Sequence, residues 1–169
     1  KDTRQAFFDG MESTVNQLRN HPCIIYWTVF NEGWGQFDGN AAYARLRALD
    51  DTRFIDTASG WFKVTDTDVD SEHIYFKPVK LQYSDKPMIL SEFGGYSYKP
   101  EGHVFNPVNT YGYRFFGEQA DFENALVKLY EDEIIPAVEK GLCGAVYTQV
   151  SDVEDETNGL LSYDRKVLK

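Results

Sequence analysis

Two stretches decide the fold. Cys23-Ile24-Ile25-Tyr26-Trp27-Thr28-Val29-Phe30-Asn31-Glu32 is an apolar run that ends on an amide and a carboxylate. Met88-Ile89-Leu90-Ser91-Glu92-Phe93-Gly94-Gly95 is a second run, and it too delivers a glutamate. A continuous apolar run rich in Ile and Val, with no polar alternation, predicts a parallel strand buried on both faces. Strands are therefore predicted over 23–30 and 88–91. Glutamate is rarely buried without a partner. Each glutamate here follows a strand and precedes a glycine-containing turn, which places it at a strand end rather than on a solvated helix face.

Outward from these runs, strands and helices alternate. Phe7, Met11, Val15 and Leu18 recur at helical spacing and predict a helix over 4–19. Asn20-His21-Pro22 stops it, because proline disfavours helix at the residue before it. The chain opens inside that pattern, at Lys1-Asp2-Thr3-Arg4, so a piece of a longer protein is expected. Gly33, Gly35 and Gly39 make a loop, and Tyr43, Leu46 and Leu49 a short helix. Phe54–Thr57 and His73–Phe76 read as strands. The segment 94–116, rich in Gly, Pro, Asn and Tyr, reads as a long packed loop. Phe122, Leu126, Leu129 and Ile134 mark a helix perturbed near Pro136 and stopped at Gly141. Ala145–Val150 is the last of five expected strands, and 151–169 reads as loop. Alternating β and α units predict a parallel sheet of the α/β class.

The composition excludes some functions. Asp and Glu outnumber Lys and Arg 27 to 17, a net charge of −10. That argues against nucleic acid, which needs a basic face, and against docking on an anionic membrane. With 42% hydrophobic residues the chain is globular. Cys23 and Cys143 each begin an apolar run and read as buried free thiols. Asp66, Asp68, Asp70 and Glu72 alternate as in some calcium loops. They lack the turn glycine and the closing glutamate at loop spacing, so a solvated loop is favoured. Neither a metal nor a cofactor is expected.

The chemistry rests on Glu32 and Glu92. Carboxylates at the C-terminal ends of barrel strands are how an α/β barrel builds an active site. Two on one rim are what glycosidic bond cleavage requires. Either glutamate alone reads first as a structural salt bridge. Both in the same setting, beside Asn31 and Ser91, point to function.

The motifs support that reading. Arg19-Asn20-His21-Pro22-Cys23-Ile24-Ile25 leading to Asn31-Glu32 resembles the acid/base segment of glycoside hydrolase family 2, which includes β-galactosidases, β-glucuronidases and β-mannosidases. Ser91-Glu92-Phe93-Gly94 resembles its nucleophile segment. Tyr147-Thr148-Gln149, Asp152-Val153-Glu154, Asn158-Gly159-Leu160 and Tyr163-Asp164-Arg165 resemble its last barrel strand and following tail. The resemblance implies a retaining β-glycosidase with Glu32 as acid/base, Glu92 as nucleophile and Asn31 on the sugar 2-hydroxyl. Tyr75 would hydrogen-bond the nucleophile, and Tyr147 stands where the family usually has a tryptophan under the sugar. Trp34 and, more weakly, Trp61 are candidates to stack on a sugar. Tyr75 and Trp34 read equally well as packed aromatics. His73 reads as a structural histidine ahead of a substrate contact. Glucuronidases of the family use an Asn-x-Lys motif. No asparagine here has Lys two positions on, which disfavours a glucuronide and leaves a neutral β-glycoside such as a β-galactoside. A related barrel glycosidase such as an endo-β-glucanase, or a sugar-binding module without catalysis, are the rival readings.

A (β/α)8 barrel takes about 200 residues or more. The resemblance implies a partial TIM barrel, with strands like the fourth to the eighth across 1–169. The early strands, with an arginine and a histidine of the sugar pocket, and the preceding sandwich domains would lie elsewhere. Runs 23–30 and 145–150 would be open edges, prone to self-association or to pairing with the rest of a parent chain.

Overall fold

The computed structural model describes residues 3–169; the opening pair Lys1-Asp2 of the predicted helical pattern lies outside them. The chain divides into two units. One comprises residues up to Ser71 together with Ser84–Pro87, the other Glu72–Tyr83 and Met88–Lys169.

The first unit runs α1 (Thr3–Leu18), β1 (Tyr26–Asn31), α2 (Gly39–Leu49), β2 (Phe54–Ser59) and the start of β3 (Asp70–Ile74). β1 and β2 pair in parallel, with Thr28 opposite Asp56 and Asn31 opposite Ser59. The apolar stripe of α1 lands as its spacing requires. Phe7 stacks on Phe30 with ring centroids 5.0 Å apart. Val15, Leu46 and Ile55 form a second cluster with Trp27 and Val29 at its margin. Burying each of those three aliphatic side chains contributes about 1.5–3 kcal/mol.

The run 23–30 differs from expectation. The strand begins at Tyr26, Ile25 is 72% exposed, and Phe30 is the one fully buried strand residue. The Arg53 guanidinium explains the late start. It donates to the carbonyls of Ile24 at 2.7 Å and Arg19 at 2.5 Å, so Ile24 is held by a side chain rather than a ladder. β1 pairs with β2 alone among the described residues. β2, by contrast, is buried from Ile55 to Ser59. Asp50 locks the turn between α2 and β2. It accepts from Trp27 Nε1 at 2.9 Å, Thr52 Oγ1 at 2.6 Å and Arg53 Nη1 at 2.9 Å. Burial alone would raise its pKa, but these donors hold it well below the usual carboxylate range.

The acidic stretch is more than a solvated loop. Asp68 accepts from Tyr43 Oη and from the Ile55 amide, each at 2.7 Å, and pairs with Arg47.

The second unit holds the end of β3, then β4 (Met88–Gly94), β5 (Tyr96–Tyr98), β6 (Arg114–Phe116), α3 (Gln119–Leu129), α4 (Ile135–Glu139) and β7 (Leu142–Thr148). β4 is the middle strand of the sheet β3-β4-β7 and pairs in parallel with β7. Leu90, Phe93, Phe122, Leu129, Ile134 and Leu142 are core residues of this unit. A π-helical turn, Tyr130–Ile134, joins α3 to α4. Pro136 follows it and has no N–H to give the carbonyl one turn back, and the wider turn absorbs that loss.

Five expectations are corrected here. The 94–116 segment is not all loop, since β5 and β6 pair in parallel within it. β3 lies at 70–74 rather than 73–76, and the described strands number seven rather than five. Cys23 and Cys143 are free but exposed. The tail past β7 is irregular yet partly buried. Lys169 Nζ donates to Asp152 Oδ1 at 2.6 Å and to the carbonyls of Thr157 and Tyr98 at 2.8 and 2.9 Å, with both charged side chains fully buried. Among the described residues no helix is long and apolar enough to cross a membrane.

Candidate active site

In the first unit, the end of β1 presents Asn31, Glu32 and Trp34. The Glu32 amide donates to Ser59 O at 2.9 Å, extending the β1–β2 pairing by one residue. Glu32 then takes φ +55°, the left-handed region. For a residue with a Cβ that costs about 1–3 kcal/mol, and such strain concentrates at functional positions. The Trp34 amide closes the turn onto Asn31 O at 3.1 Å. The indole of Trp34 is 81% exposed, and Trp61, past the end of β2, is also exposed. Asn31 lies at the strand tip, open to solvent.

In the second unit, β4 does not stop at Ser91 but carries Glu92 within it. Its register with β7 slips there. Leu90 faces Ala145 and Phe93 faces Tyr147, so β4 spends three residues where β7 spends two. That extra residue is a β-bulge at Ser91-Glu92, and a bulge re-aims the side chain it carries. The strand ends on Gly94 and Gly95, at φ +85° and +64°. A Cβ on Gly94 would lie 2.2 Å from the Tyr147 ring, and one on Gly95 2.3 Å from the Tyr113 ring. Only glycine lets both aromatics lie against the strand end.

Glu92 is held by its neighbours. Tyr75 Oη donates to Glu92 Oε2 at 2.5 Å and lies 3.0 Å from Thr148 Oγ1. Burial, reinforced by the bond to Glu92, pushes the Tyr75 hydroxyl far above the usual phenol range. It therefore stays protonated, and stays a donor, throughout the neutral range. The Tyr75 ring stacks on Tyr113 at 3.7 Å between centroids. His73 Nδ1 lies 3.3 Å from the same Oε2, and the His73 side chain is fully buried. Ser91 points away from this cluster, toward the Glu72 carbonyl at 3.3 Å. Tyr147 packs edge-on to Phe93, centroids 5.6 Å apart, beneath Gly94.

The structure thus brings Glu92, Tyr75 and, at the strand end, Tyr147 together within the second unit. Thr148 and Tyr113 are partners of this cluster that the sequence did not single out, and His73, read as a structural histidine ahead of a substrate contact, lies instead against Glu92. One signal was available for His73. It stands two residues before Tyr75, and residues two apart in a strand project to the same side.

Comparison with known proteins gives the family and the fold. The model of the glycosyl hydrolases family 2 TIM barrel domain matches residues 1–166, and the chain belongs to that family. A β-galactosidase of Klebsiella pneumoniae is 36% identical over 64 residues, which are 38% of this chain and 6% of that protein. A putative β-galactosidase from Bacteroides fragilis superimposes with TM-score 0.68 at 14% identity, over 98% of this chain and 29% of that one. A β-glucuronidase of Faecalibacterium prausnitzii does so with TM-score 0.60 at 18% identity, over 95% and 32%. These likenesses establish an α/β, TIM-barrel-like fold. The chain spans about a third or less of the length of the proteins it matches.

Proposed function

We propose that this chain is the C-terminal portion of the catalytic barrel of a longer retaining β-glycosidase, supplying strands equivalent to the fourth through eighth. Glu92 is the nucleophile and Glu32 the acid/base. The observation that carries the reading is the bulged β4, which turns Glu92 into the donors of Tyr75 and His73. A carboxylate held by hydrogen-bond donors is fixed in orientation, as an attacking group must be.

In the first step a Glu92 oxygen bonds to the anomeric carbon. The bond to the aglycone oxygen breaks, and that oxygen takes the proton of Glu32. In the second, Glu32 takes a proton from water, the water oxygen bonds to the same carbon, and Glu92 leaves. Inverting twice retains configuration, which requires the two carboxyls to stand ~5–5.5 Å apart. Asn31 would hold the sugar 2-hydroxyl, exposed Trp34 would stack on the substrate, and Tyr147 would form the floor beneath the sugar.

Replacing Tyr75 with Phe removes a hydrogen bond to a charged group, about 1.5–3 kcal/mol. A 10- to 100-fold loss of kcat with little change in fold is expected, read by steady-state kinetics beside circular dichroism.

The substrate proposed is a terminal, neutral β-glycoside of the β-galactoside type, since no Asn-x-Lys motif is present. The full-length enzyme should hydrolyse nitrophenyl β-galactoside in preference to the glucuronide. Equal or better turnover of the glucuronide would overturn the substrate assignment.

The fragment reading draws support from exposed apolar residues beside or on β1 and β7: Ile25 at 72%, Val146 at 56% and Val150 at 72%. The isolated chain should self-associate on gel filtration, or bind the rest of its parent, and be poorly active. A fully active monomer would contradict it.

A further inference from the structure

We infer that His73 is a positioning residue for Glu92: with Tyr75 it occupies Oε2, assigns the attack to Oε1, and speeds chiefly the release of the sugar from the enzyme. This rests on the proposed role of Glu92 as nucleophile.

The geometry is specific. His73 is the penultimate residue of β3, which neighbours β4, and Tyr75 is the first residue past the end of β3, so His73 reaches Glu92 from the strand and Tyr75 from the turn that follows it. Both address one oxygen. Tyr75 Oη stands 2.5 Å and His73 Nδ1 3.3 Å from Oε2. An ionised carboxylate only accepts hydrogen bonds, so the imidazole nitrogen facing it carries its proton. Burial of an imidazole without solvent access needs a reason beyond packing, because a polar ring of that size is costly to desolvate. The donation to Oε2 supplies one.

The kinetic consequence follows from where charge sits. Two donors on Oε2 make that oxygen the poorer nucleophile, so Oε1 attacks. In the glycosyl-enzyme, Oε1 is the ester oxygen bonded to the anomeric carbon, and Oε2 is a neutral carbonyl oxygen. When water attacks, the bond from carbon to Oε1 breaks and its electron pair returns to the carboxylate. Negative charge then grows on Oε2, in front of donors already in place, the arrangement that stabilises a developing oxyanion. Removing a donor therefore impedes departure. It hinders attack less, because a carboxylate with fewer hydrogen bonds is a stronger nucleophile.

The test uses the full-length enzyme and 2,4-dinitrophenyl β-galactoside, whose leaving group makes the first step fast. His73→Leu and His73→Phe remove the donor. In His73→Asn the carboxamide nitrogen takes the place of Nδ1. The two donorless variants should lower kcat about 10- to 100-fold with KM falling in parallel, so kcat/KM stays nearly constant. They should also show a burst of dinitrophenol, and rates taken per burst-titrated site exclude misfolded enzyme. His73→Asn should restore kcat to within a few-fold of the parent. The proposal is overturned if the donorless variants keep full kcat per site. It is also overturned if kcat and kcat/KM fall together at constant KM with no recovery in His73→Asn, the pattern of a merely structural residue. Failure of the Glu92 assignment is separable: the covalent sugar would then map to another residue whatever the His73 variants do.

Discussion

Glu92→Gln in the full-length enzyme is expected to cut kcat by about 10⁴–10⁶-fold, the scale seen when an enzyme loses its nucleophile. The amide matches the carboxylate in size, so the surroundings of β4 should survive. Gly94 and Gly95 still admit the Tyr147 and Tyr113 rings, and Phe93 stays in the core. What changes is charge. A neutral amide cannot attack the anomeric carbon, and its NH2 group placed at Oε2 would face the Tyr75 hydroxyl donor. Glu92→Gln should therefore unfold at nearly the temperature of the parent while losing turnover. A variant that kept a tenth of the parent rate would remove Glu92 from the mechanism.

Glu32→Gln is expected to lose about 10²–10⁴-fold, the usual contribution of a general acid/base, and the loss should depend on the substrate. A β-galactoside with a poor leaving group needs a proton on its departing oxygen and should suffer fully. A dinitrophenyl galactoside does not, so its first step should survive and the second become limiting. Azide, which attacks without needing a base, should restore turnover and yield a β-galactosyl azide. Equal losses on both substrates, with no effect of azide, would mean that Glu32 is not the acid/base. The left-handed backbone at Glu32 adds a structural expectation: the variant keeps the turn, since Gln has the same Cβ and the Ser59 bond is to the main chain.

Much of this was legible in the sequence, for reasons that differ by element. α1 was readable because Phe7, Met11, Val15 and Leu18 keep helical spacing and the helix packs one apolar face. β4 was readable because its apolar run Met88-Ile89-Leu90 leads to turn glycines, and β2 because Phe54-Ile55 begins a short segment closed by turn residues. The extent of β3 was not. Asp70, Ser71 and Glu72 look like loop, and their strand pairing comes from neighbours distant in sequence. β5 and β6 were hidden for a similar reason. Each is three residues long, in a segment whose Gly and Pro content speaks for loop. The exposure of Ile25 was misread because an apolar run does not say how many neighbours its strand finds. The buried Asp152–Lys169 pair joins residues that each look like ordinary surface charges. At the site, the glutamates stood out as carboxylates closing apolar strands. The bulge that aims Glu92 depends on the register with β7, and no local pattern encodes it.

The central claim is that Glu92 forms the covalent bond to the sugar. The direct measurement is to incubate the full-length enzyme with 2,4-dinitrophenyl 2-deoxy-2-fluoro-β-galactoside, which slows both steps but lets the activated leaving group depart, and to map the adduct by peptide mass spectrometry. The account predicts stoichiometric inactivation, one fluorosugar per chain, on the peptide containing Ser91-Glu92-Phe93, at Glu92. An adduct on Glu32 or any other residue, or reversible binding with no adduct, would contradict it.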